Sequence, residues 1–118
     1  MTDPSPVELA EFDALLELLD RDTMREVVQL FAASAPGRLV AARTGIAAGD
    51  SRAVATAFHT LRSGCGQLGA RHLEELCAGA ERAAKEGNLA LADVRLAEIT
   101  VEYERCLSWF RERDWLMA

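Results

Sequence analysis

Long apolar runs, clustered basic residues and paired cysteines are all scarce in this chain, and each scarcity removes a class of protein. No apolar stretch approaches the roughly 18 residues that a transmembrane helix needs. The start, Met1-Thr2-Asp3-Pro4-Ser5-Pro6, has neither the basic nor the hydrophobic region of a secretory signal. Thirteen basic against nineteen acidic side chains give a net charge of −6 without any run of Lys or Arg, which argues against a nucleic-acid binder. Cys65, Cys77 and Cys106 are odd in number and widely spaced, which does not suggest a disulfide framework. Each falls at or near an apolar helical position, where Cys behaves as a small hydrophobe. A reducing cytoplasm is the expected compartment, with no membrane partner.

Several catalytic signatures are missing too. There is no Walker-type phosphate loop and no kinase signature, so the chain is not expected to use ATP itself. Gly64-Cys65-Gly66-Gln67-Leu68-Gly69 matches G-x-G-x-x-G in letters only, because neither a preceding strand nor a βαβ unit is present. His59 to Cys65 is a spacing of six and His72 to Cys77 of five, and neither converges on one helical face as metal ligands do. No C-x-x-C and no Glu-x-x-His pair occurs. No metal or cofactor of its own is expected.

What the chain does contain is helical periodicity. Its 118 residues, half of them hydrophobic, suit a single domain spanning 1–118 with one core. Ser5, Pro6 and Glu8 read as the cap, first position and capping box of a first helix carrying Leu9, Phe12, Leu16 and Leu19. Thr23 and Glu26 offer a second capping box before Met24, Val28, Phe31 and Ala35. Pro36 costs about 3 kcal/mol in a helix interior, so one long bent helix is expected there, with two separate helices as the alternative. The pattern resumes through Leu39, Ala42 and Ile46 to a stop at Gly49-Asp50.

Asp50 or Ser51 caps the next helix, and Gly69 closes or kinks it. A further helix over about 70–86 points Leu73, Leu76, Cys77, Ala80 and Ala84 inward and stops at Gly87-Asn88. The last carries Leu96, Ile99, Tyr103, Cys106 and Phe110, with Trp109 and Trp115 anchoring its end. No strand-like alternation or repeat occurs. The predicted fold is all-α: an antiparallel four-helix bundle with a short additional N-terminal helix.

The stretch from Ala57 to Ala70 is the most informative. Val54, Phe58, Leu61, Cys65 and Leu68 make a buried seam at spacings of 4, 3, 4 and 3. His59 lies well away from it, with Arg62 and Ser63 one turn ahead, Ala55 one turn behind and Gly66 two turns ahead. Interior glycines cost roughly 1 kcal/mol each relative to Ala, so Gly64 and Gly66 imply a use beyond bundle packing. Small neighbours leave room for another protein to reach the imidazole. The alternative is a helix that ends early, with 63–66 as a loop. His72 lacks such surroundings and reads as an ordinary, partly exposed side chain.

The ordered run His59, Leu61, Arg62, Ser63-Gly64-Cys65-Gly66, Leu68-Gly69-Ala70 resembles the signature of histidine-containing phosphotransfer (HPt) domains. Arg62 stands where Lys is commoner, and Ser63 where many members have Gly. The resemblance implies that His59 is the phosphoacceptor of a two-component phosphorelay, exchanging a phosphoryl group with receiver-domain aspartates. Near neutral pH an imidazole is largely uncharged and nucleophilic. Arg62 would meet the added negative charge, Ser63 would offer a hydroxyl, and Gln67 would be a weaker orienting group. Ala55, Arg62, Ser63 and Gly66 would form the docking patch.

The partners so implied are a response-regulator receiver domain, which supplies its own Mg²⁺, or a hybrid sensor histidine kinase. A monomer is expected, and the Met1 start with the compact length favours a free-standing shuttle. A non-catalytic helical adaptor that binds such partners without phosphotransfer stays open, as does a purely structural bundle.

Overall fold

The computed structural model describes residues 4–117; the Met1 start lies outside them. Five helices follow in order: α1 (Leu9–Leu18), α2 (Arg21–Ala48), α3 (Ser51–Cys65), α4 (Arg71–Lys85) and α5 (Leu89–Glu112). A 3₁₀ turn, Gly66–Leu68, tightens the end of α3. No strand occurs among the described residues. α3 packs on α2 and α4, α5 packs on α4, and contacts between α2 and α5 close the ring. Short connections make sequential neighbours antiparallel. α1 lies against the 3₁₀ turn and the start of α2 as the additional helix.

The apolar spacings place the core as expected. Met24, Val28, Phe31, Ala35, Leu39 and Ala42 of α2 are buried, as are Leu96, Ile99, Tyr103, Cys106 and Phe110 of α5. Trp109 and Trp115 are buried at one end, each meeting the Phe12 ring edge-on at 5.3 Å. All three cysteines are free and buried. The neighbouring Cys77 thiol and burial push the Cys65 thiol up, and burial pushes that of Cys106 up to about 12. Those two thiols stay un-ionised, and all three cysteines act as packing atoms.

Helix α2 runs unbroken through Pro36. Proline has no N–H for the carbonyl of Ala32 one turn back, and the Tyr103 hydroxyl donates to that carbonyl at 2.9 Å. The two-helix alternative does not occur.

Two helix starts differ from the sequence reading. α1 begins only at Leu9, and Glu8, not Ser5, stands at its cap without a side-chain bond. The Ser5 hydroxyl donates to Val7 O, and the Glu8 N–H donates to Gly69 O at 2.8 Å. Val7 is wholly buried, so tertiary contact holds this segment out of the helix. α2 begins at Arg21, with the Asp20 carboxylate accepting from Thr23 N at 2.7 Å, so Thr23 sits inside the first turn. Asp20 opens the helix three residues earlier, so the N–H groups that Thr23 would have capped are bonded to carbonyls within the helix.

The remaining ends follow the local signals. Gly49 ends α2 at φ 69°, Asp50 caps α3, and Asn88 caps α5. Gly69 closes the 3₁₀ turn at φ 75°. A Cβ there would sit 2.8 Å from Glu8 O, so this position requires glycine twice over.

Candidate functional site

Helix α3 presents the site because its two faces are chemically unlike. Asp50 Oδ1 accepts from Ala53 N at 3.1 Å to start the helix. Val54, Phe58, Leu61, Cys65 and Leu68 form the buried seam. His59 projects from the other side, with its side chain 57% exposed. Gly64 is tolerated within the helix, which runs to Cys65, so the early-ending loop does not occur.

The imidazole is fixed by a residue from the neighbouring helix. His59 Nδ1 lies 3.2 Å from Glu81 Oε2 of α4. Glu81 is only 4% exposed. Burial pushes its carboxyl up, but the Lys85 hydrogen bond and the charges of Arg62, Lys85 and His59 outweigh this and hold it below the ordinary value. Lys85 Nζ stands 2.9 Å from Oε2, and Arg62 Nη1 stands 3.4 Å from Oε1, which accepts no hydrogen bond. An ionised carboxylate can only accept, so the His59–Glu81 contact requires a ring proton on Nδ1. Nε2 then keeps its lone pair. Arg62 Nη2, 3.4 Å from Nδ1, is itself a donor and meets that protonated nitrogen as a neighbour drawn in by Glu81.

The other expected side chains are arranged less simply. Arg62 is at the site, paired with Glu81 and 3.4 Å from the His59 ring nitrogen Nδ1. The Ser63 hydroxyl donates to the carbonyl of His59 at 3.0 Å, so in this structure it is engaged with backbone and not with the ring. Gln67, in the 3₁₀ turn, lines a groove between α2 and α3 with Thr60 and Gly64. Ala55 is nearly buried but lines a groove of about 540 Å³ between α3 and α4 that also holds His59, Glu81 and Lys85. Gly66 faces α4, where a Cβ would run into the Glu74 carboxylate. Gly64 has open space around it apart from Phe31 at 3.9 Å. His72 is exposed and distant in kind, beside Arg71 and Glu75 in a separate groove.

Glu81 and Lys85 were absent from the sequence reading. A signal existed. Glu81 follows Cys77 by four and precedes Ala84 by three, on the inward stripe of α4, with Lys85 four residues on. A charge on an apolar face requires a partner.

Charge is also segregated. Residues 27–73 contain five arginines and one acidic residue, Asp50, whereas the rest of the chain carries eight basic and eighteen acidic side chains. Helix α3 itself carries Arg52 and Arg62 and no acidic residue. Among the described residues no cluster of His, Cys, Asp and Glu is arranged to hold a metal. Nor, among the described residues, is any helix long and apolar enough to cross a membrane.

An exposed imidazole on a helical bundle, backed by a buried carboxylate and an arginine, defines the phosphotransfer class of helical domain. The Hpt domain model matches residues 26–109, and the chain belongs to that family. It is a histidine phosphotransfer module of the phosphorelay type. Its fold is similar to the crystal structure of histidine-containing phosphotransfer protein B (HptB) from Pseudomonas aeruginosa PAO1, with a TM-score of 0.84 and 23% identity. That similarity covers 94% of this chain and 98% of the other. No curated protein matches the chain.

Proposed function

We propose that His59 Nε2 is the atom that receives and passes on the phosphoryl group, with an aspartyl-phosphate of a receiver domain as its partner. The observation that carries this reading is the hydrogen bond from His59 Nδ1 to buried Glu81, which leaves Nε2 as a lone-pair donor on an exposed side chain. In the forward step the Nε2 lone pair forms the N–P bond while the acyl P–O bond breaks. The aspartate leaves as a carboxylate. The ring keeps Nδ1–H and becomes cationic, and Glu81 stabilises that charge. No proton has to move, and reversal returns the phosphoryl group. Arg62, which rests beside Nδ1 and Glu81, supplies a cation that can turn toward the phosphoryl oxygens, which carry close to two negative charges. The receiver supplies Mg²⁺ and the acidic pocket, and the arginines of α3 favour its approach.

Incubation with a phosphorylated receiver domain tests this reading by following acid-labile label. Wild-type protein should take up label and His59→Gln should not. Label retained in His59→Gln sinks the assignment. Receiver binding without label in either protein would establish the adaptor reading instead.

A further inference from the structure

Glu81 meets more positive charge than one carboxylate needs. Arg62 approaches one oxygen, while Lys85 and the His59 Nδ1–H share the other, at 2.9 Å and 3.2 Å. Lys85 is 66% exposed and lines the same groove as His59. It is also the sole lysine of the chain, all other basic side chains being arginine. An ammonium on a flexible stem has three rotatable donors and exchanges acceptors readily, whereas a guanidinium suits a fixed planar pairing.

A phosphoryl group on Nε2 would place close to two negative charges beside an already anionic carboxylate. Arg62, from the same helix, can answer part of that charge. We infer that Lys85 is a second phosphoryl-binding cation, held on Glu81 in the resting protein and handed to the phosphoryl group once His59 is charged. This rests on the reading of His59 as phosphoacceptor. Lys85 keeps all three protons and exchanges one acceptor, Glu81 Oε2, for a phosphoryl oxygen. Glu81 keeps the His59 Nδ1–H, so the ring stays oriented while its cation is lent out.

The effect on chemistry follows from charge. Hydrolytic loss of the group passes through a loose, metaphosphate-like state with less charge on the phosphoryl oxygens. A cation at those oxygens therefore stabilises phosphohistidine more than the state in which it breaks. Lys85 should lengthen the life of the phosphorylated protein. A lysine that merely neutralised Glu81 would have no such effect once Glu81 was uncharged.

The full chain, phosphorylated chemically with phosphoramidate and followed by ³¹P NMR at neutral pH, separates these cases. Lys85→Gln should shorten the phosphohistidine half-life by about three- to fivefold, the range for an exposed charge-assisted contact. Lys85→Arg, which keeps the charge but not the freely exchanging ammonium, should shorten it less than Lys85→Gln. The same factor should appear when Lys85→Gln is made in a Glu81→Gln background. A wild-type half-life in Lys85→Gln, or an effect that vanishes in that background, overturns the proposal. Should the variant unfold, wild-type protein labelled with [¹³C]lysine gives a single Lys85 Cε signal. That signal must shift on phosphorylation and stay still in His59→Gln, and a signal that does not move in wild type also overturns the proposal. Uptake from a phosphorylated receiver domain that persists in His59→Gln would instead remove the reading of His59 on which it rests.

Discussion

The Tyr103 hydroxyl donates to the carbonyl of Ala32, the group that Pro36 leaves without its intrahelical N–H. Burial pushes the Tyr103 phenol up, so it remains a protonated donor. One side chain of α5 thus repairs a defect in α2 and joins the two helices that close the ring.

Tyr103→Phe removes that donor and leaves a partly buried carbonyl unpaired. The expected loss is about 1–3 kcal/mol of stability. Urea unfolding checks it, and an unchanged midpoint would show that water replaces the hydroxyl. Phosphoryl uptake by folded Tyr103→Phe should match wild type, since the contact lies away from His59.

Glu81 makes stability depend on acid in a defined direction. Its native pKa lies below the ordinary value of 4.5, so the charged form favours the folded state. Its contribution is complete above the unfolded value and disappears as pH falls through the native one. Urea midpoints from neutral pH to below pH 4.5 should fall more steeply for wild type than for Glu81→Gln. Parallel curves would show that Glu81 is not the group responsible.

Association with a receiver should depend on salt. The segregation of arginine around α3 predicts steering, and the Debye length falls from about 30 Å at 0.01 M salt to about 8 Å at 0.15 M. The on-rate should drop about tenfold across that range, with the off-rate changing less. Arg52→Glu, at the groove beside His59, should slow association even at low salt. Stopped-flow rates that ignore both changes would rule out steering by this face.

Gly69→Ala tests the turn behind the site. The substituent would meet Glu8 O, and the left-handed backbone at φ 75° disfavours any side chain. A loss of about 1–3 kcal/mol is expected from strain of this kind. Thermal unfolding measures it, and a wild-type midpoint would mean that the segment from Val7 to Glu8 yields freely.

The legibility of the chain differed by the range of the interactions involved. The seam from Val54 to Leu68 and the stripe from Leu96 to Phe110 were readable because period and burial share one cause. Asp50, Gly49 and Asn88 acted as read, since a cap needs only its own first or last turn. Ser5 did not cap α1, because Val7 is buried and the Glu8 N–H is bound to Gly69, some sixty residues along the chain. Gln67 turned toward the α2–α3 groove when the helix tightened after Cys65, a rotation that ideal periodicity does not contain.

By itself the sequence determined a ring of amphipathic helices and an imidazole facing outward from one of them. Those properties arise from residue spacing along single helices. Only the tertiary structure decided that Glu81, Lys85 and Arg62 meet around the His59 ring. Glu81 and Lys85 belong to α4, and a carboxylate acquires partners on α3 only when the two helices pack.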